Sequence, residues 1–533
     1  MIFKDAAYWH QLEEECAHSD RINLDNLLTL MRDNRDTEFG KAHDFVSIDS
    51  VEEYRKKVPV SNYESFRSYV NSMLDGKKDV LTVYPVVNYC RTSGTEGLAK
   101  IIPVTSEAFK RYGNAVGYRQ DEVIKEFGGK RFIINTFRTD IGKKSSGDLL
   151  LSEALFRSLY EDGSLQEENF AGGFATLFSD ELIDRLYVKL WVGFATEDVT
   201  VLESIFMYDQ LIFFTYMSKF WRDVYDGMRT HSIPEEMKIP DNIRKYLLSM
   251  PVSDERLDKI QSICESGMKG VAKKLWPGLK LVSGVSNKSY FAEDRMLHEY
   301  IGKVDDYYLA YCASECYIAT AVADNDFNYV LLPNNAFFEF LPVEGGDETF
   351  LPHELEVGRC YKPVITNFSG LYRYLMEDIV CVQGFIGKSP KFEFIMRSCQ
   401  TLNIAGEKMD IHLVEKAIAS LDGSGEITEW TIGIEHEITP ARYFIAAVSA
   451  NGEMGLSPDL SDKIDKKLSE FNPDYADLRQ MDYIREPSVL LMRPGSYGYL
   501  LKENGLAGGH KKPNHVAKQG FTYQSYRKWV EQI

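Results

Sequence analysis

The stretch Tyr89-Cys90-Arg91-Thr92-Ser93-Gly94-Thr95-Glu96-Gly97-Leu98-Ala99-Lys100 decides the reading of this chain. Gly94 and Gly97 allow tight backbone turns that aim amide N–H groups into one concavity. Thr92, Ser93 and Thr95 add hydroxyl donors and Lys100 adds a positive charge, the chemistry of a loop that cradles phosphates. Upstream, Val83–Cys90 reads as a buried strand; downstream, Ile101-Ile102-Pro103-Val104-Thr105 resumes an extended run. The Walker order of glycine, four residues, then Gly-Lys-Ser/Thr is absent. Taken alone, a loop of this composition is more often an ordinary turn, so the residues further along the chain decide.

The chain has 533 residues, more than one core usually serves, and two domains are expected. With 44% hydrophobic and 13% aromatic residues there is material for a large core. The 61 Lys and Arg against 80 Asp and Glu leave a net charge of −19, which argues against nucleic acid or an anionic membrane as partner. A local loop of amides and one lysine can still hold an anion against that field. Eight cysteines without a CxxC pair suggest free thiols in a reducing compartment, with no disulfide framework and no zinc site. Met1-Ile2-Phe3-Lys4-Asp5 runs quickly into Glu13-Glu14-Glu15, so no signal peptide is visible. The most apolar window, Val201 to Trp221, is interrupted by Glu203, Asp209 and Lys219, and reads as a buried or amphipathic helix rather than a membrane span. The expectation is a cytoplasmic monomer.

Residues 8–80 are mostly helical in pattern, with apolar positions at helical spacing over Leu24 to Met31, Val51 to Tyr54 and Tyr63 to Met73. Arg131–Phe137 reads as a strand, and a long helical block covers roughly 150–270. Tyr307–Ala313, Tyr329–Leu332, Ala336–Val343, Lys362–Asn367, Asp378–Gly384 and Lys391–Arg397 read as successive strands, with Asn334-Asn335 as a tight turn. After a change of character near 397–406, helices are expected at His412–Leu421, Ser461–Phe471 and Tyr497–Asn504, and strands at Glu429–Ile434, Arg442–Ser449 and Ser488–Met492. The fold class is therefore α/β and α+β: a large N-terminal domain with mixed sheets and helices, then a small α+β C-terminal domain.

Three further constellations carry chemistry. Tyr311-Cys312-Ala313-Ser314-Glu315 places a carboxylate at a strand end, where it can ligate Mg²⁺ bridging phosphates; the plain alternative is a surface glutamate. Gly370-Leu371-Tyr372-Arg373-Tyr374-Leu375-Met376-Glu377-Asp378 fixes an aspartate at a strand start, where it can accept hydrogen bonds from ribose hydroxyls or simply cap the strand. Arg397, the polar run to Ile404, the Ala405-Gly406 turn and the helix after Asp410 describe either an interdomain hinge or an ordinary linker.

These segments, in this order, resemble the adenylate-forming superfamily of acyl-CoA synthetases, luciferases and peptide-synthetase adenylation domains. More narrowly, the chain resembles the plant auxin-responsive acyl-acid amido synthetase family and its microbial relatives. The narrow likeness rests on Tyr311-x-Ala-Ser-Glu315, Gly370-Leu-Tyr-Arg-Tyr374-x-x-x-Asp378 and Leu332-Pro333-Asn334-x-Ala-Phe-Phe-Glu-Phe-Leu-Pro342. Thr37-Glu38-Phe39-Gly40 and Val58-Pro59-Val60-Ser61-Asn62-Tyr63 add to it, and the likeness spans residues from about 25 to 515. It implies an adenylate-forming N-terminal domain over 1–396, a hinge over 397–406 and a small C-terminal lid over 407–533. It implies ATP and Mg²⁺, a small carboxylic acid, and an amino acid or other amine: the acid becomes acyl-AMP and the amine then displaces AMP.

By the same resemblance Thr92, Ser93, Gly94, Thr95, Gly97 and Lys100 hold phosphates, Glu315 binds Mg²⁺, and Ser314, Tyr374, Asp378 and Arg397 complete the ATP/AMP site, with Asp378 on the ribose. Lys100 is a catalytic candidate, as are Lys408 and Lys511 for the cation expected from the small domain. The chain departs from the pattern at Glu96, where a small hydroxyl residue is common, in the Leu375-Met376-Glu377 stretch, which lacks an Arg contact, and at Cys399-Gln400, where wider relatives carry acids. The acyl pocket is expected between the helical block and the large-domain sheet, and Phe206, Tyr208, Phe213 and Tyr216 near it are more often core than pocket. A ligase passing acyl-AMP to coenzyme A or a carrier thiol is the alternative, and a non-catalytic binding protein on the same scaffold is a third reading.

Overall fold

The structure is a computed structural model that describes residues 7–91, 100–112, 127–135, 163, 165–178, 184–286, 291–323, 325–397, 401–404, 407–421, 427–435, 437–438, 440–449, 452, 454–480, 484–493, 496, 515–517 and 522–532. Its described residues divide into two compact units, one running to Ile395 and the other from Met396 onward.

The N-terminal helices form where the apolar spacing places them: Ala7–Ala17, Ser19–Asn34, Glu38–Ala42, Val51–Lys57 and Glu64–Leu74. Ser50 caps the fourth by accepting from the Glu53 amide, and Arg55, Lys56 and Lys57 sit at its negative end. Buried Asn23, on the second helix, donates to the Phe338 carbonyl and accepts from the Phe338 amide at 3.0 and 2.7 Å, so the helix Ser19–Asn34 satisfies backbone groups of a strand at the edge of a sheet.

Strands β1 (Val86–Arg91) and β2 (Ile101–Thr105) form an antiparallel hairpin. The run predicted as a buried strand from Val83 begins later and lies half in solvent, with Val83 41% and Val87 47% exposed. Strands β3 (Lys130–Ile133), β4 (Val199–Phe206), β5 (Leu281–Val285) and β6 (Asp305–Tyr308) make a parallel sheet in chain order. β4 corrects the uninterrupted helical block expected over 150–270 and the single helix expected over Val201 to Trp221. It is buried along most of its length, as a central parallel strand is, so its apolar run shows no alternation to separate it from helix. The helix begins only at Met207 and continues to Thr230.

The run Tyr307–Ala313 is likewise two strands. β6 closes the parallel sheet, and β7 (Ala310–Cys312) opens the next one. That sheet continues through β8 (Tyr317–Ala321), β9 (Asn328–Leu331), β10 (Ala336–Pro342), β11 (Cys360–Asn367), β12 (Tyr374–Leu375), β13 (Asp378–Ile386) and β14 (Ser389–Arg397). Its order is β10-β11-β13-β14-β9-β8-β7, with β12 on β11. A 3₁₀ turn at Pro333–Asn335 joins β9 to β10, as the paired asparagines predict. Cys360 faces Cys381 across β11 and β13, with Cα atoms 4.0 Å apart, and the two form a disulfide. This corrects the expectation of free thiols at those two positions; Cys16, Cys264 and Cys316 are buried thiols.

In the C-terminal unit, β15 (Thr401–Ile404) and β16 (Glu407–Asp410) pair as a hairpin, so the polar connection predicted there is in good part strand. The helix Ile411–Ala419 follows, then the sheet of β17 (Ile427–Glu435), β18 (Arg442–Ser449), β19 (Gly455–Leu456) and β20 (Ser488–Met492) in the order β17-β18-β20-β19. Helices Pro458–Phe471 and Pro473–Gln480 cover an apolar layer that includes Val414, Ile432, Ile445, Ile464 and Val489. The helix predicted over 497–504 lies outside the described residues. Among the described residues no helix is long and apolar enough to cross a membrane.

Candidate active site

The N-terminal unit gathers Lys100, Glu315, Tyr374 and Asp378 through short connections between strands. Between β7 and β8, Ala313 and Cys316 exchange backbone hydrogen bonds of 2.9 and 3.2 Å, leaving Ser314 and Glu315 in a two-residue turn. The Glu315 carbonyl is fixed from outside by Asn367 Nδ2 at 2.7 Å and by the Tyr112 hydroxyl at 3.3 Å. Asn367 ends β11, and its Oδ1 also accepts from the amides of Ser369 and Leu371, each at 3.0 Å. One asparagine thus locks the Glu315 turn to the turn around Gly370.

Tyr374 stands on β12, opposite Ile365 of β11 and bridged on its other side to Ser61. Its hydroxyl donates to Glu315 Oε1 at 3.1 Å and accepts from Lys100 Nζ at 3.3 Å. Lys100 leads into β2, and the Tyr63 hydroxyl grips the next residue, donating to the Ile101 carbonyl at 2.8 Å and accepting from its amide at 2.9 Å. Burial pushes the Tyr63 hydroxyl's pKa upward, which keeps it protonated in this role. Asp378 opens β13, is 2% exposed, and its Oδ2 accepts from the Tyr311 hydroxyl at 2.7 Å. The Tyr311 ring lies 6.0 Å from Phe392 and 5.5 Å from Phe394, which confines its hydroxyl.

The result is a chain of ammonium, phenol and carboxylate, with a second buried carboxylate in the same sheet. Glu315 and Tyr374 are buried, and Lys100 is half-buried. No cluster of three His, Cys, Asp or Glu that could enclose a metal occurs among the described residues. A single carboxylate beside a lysine and a hydroxyl fits Mg²⁺ shared with phosphate oxygens, because that ion keeps several waters and takes only one or two protein carboxylates.

Four of the expected site residues, with Ser314 half-buried in the turn, therefore lie in one unit. Thr92, Ser93, Gly94, Thr95 and Gly97 lie outside the described residues, as does Lys511. The backbone of Arg397 ends β14 and that of Lys408, in β16, pairs with Asn403 of β15, but their side chains lie outside the described residues. Phe213 is core, packed edge-on to Phe132 at 5.6 Å, while Phe206 and Tyr216 are half-buried. Sequence reasoning did not assign Tyr63, Tyr112, Asn367 or the Tyr311 hydroxyl. Tyr311 stood inside a quoted motif and Asn367 at a predicted strand end; nothing around Tyr63 signals a partner at Ile101.

The comparisons with known proteins agree in extent. The GH3 family N-terminal domain matches residues 8–305, the GH3 family central domain matches 329–397 and the GH3 family C-terminal domain matches 411–520. A jasmonoyl–L-amino acid synthetase of Oryza sativa subsp. japonica is 25% identical over 545 residues, covering 93% of this chain and 92% of its own. Among solved structures, an acyl acid amido synthetase in complex with 2,4-DB superposes with a TM-score of 0.85 at 21% identity, covering 98% of this chain and 95% of that one. A 2-hydroxyisobutyryl-CoA ligase in the postadenylation state, in complex with R3-HIB-AMP, gives a TM-score of 0.57 at 12% identity over 99% and 95% of the two chains. These structural likenesses show the fold, that of the adenylate-forming ligases.

Proposed function

The chain belongs to the GH3 family, and on that premise we propose that it is an ATP-dependent acyl-acid amido synthetase. A carboxylate oxygen of the acid attacks the α-phosphorus of ATP, the bond to pyrophosphate breaks, and acyl-AMP forms. The nitrogen of an amino acid or other amine then attacks the acyl carbon, AMP leaves with the bonding pair, and the amine proton passes to solvent. Such chemistry asks the protein mainly for positioning and charge neutralisation.

The observation that carries this reading is the chain from Lys100 through the Tyr374 hydroxyl to Glu315. Lys100 meets phosphate charge, and Tyr374 holds the ammonium and the carboxylate at one spacing. Mg²⁺, with Glu315 as its protein ligand, would supply further neutralisation of the phosphates. Asp378, oriented by Tyr311, accepts from the ribose hydroxyls, and Ser314 and Arg397 belong to the same nucleotide site. Thr92, Ser93, Gly94, Thr95 and Gly97 supply the phosphate loop. We assign residues 1–396 to ATP and acyl binding, 397–406 to the connection and 407–533 to a small domain from which Lys408 or Lys511 supplies the second cation.

Glu315→Ala tests the central assignment. Pyrophosphate release should fall at least about a hundredfold, given that one preorganised charge-stabilising group is worth roughly that much. Near-normal turnover would remove Glu315 from the site. Lys408→Ala and Lys511→Ala, assayed side by side, identify the second cation by which one loses adenylation.

A further inference from the structure

Two charged residues of the quoted motifs, Arg373 and Glu339, have no part in the nucleotide site as described. Glu339 lies on β10 and is fully buried. Arg373 directly precedes Tyr374, is 6% exposed, and has φ 46°, in the left-handed region that a side chain with a Cβ rarely adopts. Its guanidinium is gripped from several directions. Nε donates to Glu339 Oε2 at 2.9 Å, Nη1 to the Val58 carbonyl at 2.9 Å and the Arg55 carbonyl at 3.4 Å. Nη2 donates to Thr349 Oγ1 at 3.0 Å and Glu339 Oε1 at 3.3 Å.

The backbone of Arg373 is held as firmly. Its amide donates to Thr366 Oγ1 at 2.9 Å and its carbonyl accepts from the Ser61 amide at 3.0 Å. Glu339 is itself oriented by Arg55 Nε at 2.9 Å and by the Thr349 hydroxyl at 2.5 Å. A buried ion pair is a poor device for stability alone, since apolar residues of similar volume often serve as well or better. A strained backbone at such a place persists only when its surroundings over-determine it. Both costs fall on the residue immediately before the hydroxyl that joins Lys100 to Glu315.

We propose that Arg373 is a positioning residue for adenylation: its fork, locked by Glu339 and the Val58 carbonyl, sets the backbone so that the Tyr374 hydroxyl bridges Lys100 and Glu315. The inference rests on the proposed function, because it presumes that this bridge serves ATP. Lysine cannot replace the fork. A point charge with rotating donors lacks the planar geometry that engages a carboxylate and two carbonyls together.

The test is a double-mutant cycle of Arg373→Lys and Tyr374→Phe. It is read as ATP affinity by calorimetry and as kcat of pyrophosphate release, with the melting temperature of each variant recorded. Arg373→Lys should lower kcat at least about tenfold in the parent chain but less than about threefold in the Tyr374→Phe background, the non-additivity expected of residues acting as one unit. Glu339→Gln should show the same dependence on Tyr374, and it serves in place of Arg373→Lys should that variant fail to fold. Equal losses in both backgrounds would make Arg373 a stability residue only and overturn the proposal. If the parent chain does not bind ATP at all, the proposed function falls and this inference falls with it. ATP binding with additive losses overturns this inference alone.

Discussion

Tyr311 and Asp378 share a hydrogen bond of 2.7 Å inside the protein, and its removal is a clean perturbation. Tyr311→Phe deletes only the hydroxyl. A hydrogen bond to a charged group is worth about 1.5–3 kcal/mol, so the ATP KM should rise about tenfold or more as Asp378 loses its orientation. An unchanged KM would detach this pair from nucleotide binding. Lys189 offers a second test, unconnected with catalysis. It is 1% exposed, its amino group donates to one carbonyl, Thr176, at 2.9 Å, and burial, with Arg185 adding to it, pulls its pKa from 10.5 to about 7. Below pH about 7 the native state buries a charged amine, and between about 7 and 10 it holds fewer protons than the unfolded chain, so stability rises with pH across that window. Lys189→Met should therefore gain a few kcal/mol near pH 6.5, and the gain should shrink toward pH 9.5, in denaturant midpoints. A gap that does not change with pH would contradict the shift. Glu315 and Asp378 could be singled out as candidates in the sequence because one carboxylate follows a recognisable apolar run at a strand end and the other stands at the start of the next such run. Tyr63 and Asn367 were not, since their partners Ile101 and Glu315 lie 38 and 52 residues away and no local pattern reports such a contact.

Among the elements, the turn after β11 is the most demanding. Gly370 has φ +94°, and a Cβ there would lie 2.7 Å from Leu81 Cβ. Gly370→Ala should destabilise the protein by about 1–3 kcal/mol through backbone strain and the clash together. It should also raise the ATP KM, because the same turn carries Arg373 and Tyr374; a normal melting temperature would show that the turn can shift. The disulfide between Cys360 and Cys381 closes a loop of sequence separation 21 that contains this turn, Tyr374 and Asp378. Closing a loop of that size removes about 3 kcal/mol of unfolded-chain entropy, so reductant should lower the melting temperature, and the Cys360→Ser/Cys381→Ser double variant should abolish the difference. Identical melting with and without reductant in the parent chain would mean that the bond is not formed in solution. Strand periodicity gave β10, β11, β13, β14, β18 and β20 closely, since each run is short and bounded by turn residues. It failed at β4, where the strand runs directly into the helix at Met207 with no breaker between them, and at β6 and β7, where one apolar run serves two sheets.

At the scale of the whole molecule, 533 residues fold as two units, each with its own apolar core, and the anchoring contacts of the candidate site lie in the larger one. A protein of net charge −19 can accept an anionic nucleotide only where local groups override the global field, and Lys100, joined to Glu315 through the Tyr374 hydroxyl, is such a group. The division into a mixed α/β body and a small α+β unit was legible because composition and periodicity change together near 397–410. The identity of the acid and of its acceptor was not, because pocket shape separates acyl groups by only a few kcal/mol, through side-chain detail that periodicity does not carry. The decisive measurement is pyrophosphate release with Mg-ATP over a panel of aromatic, indole and aliphatic carboxylic acids, each alone, with mixed amino acids and with coenzyme A. The account predicts turnover that depends on an amino acid and yields AMP and the amide in equal amounts. Turnover with coenzyme A alone, yielding AMP and a thioester, would contradict it.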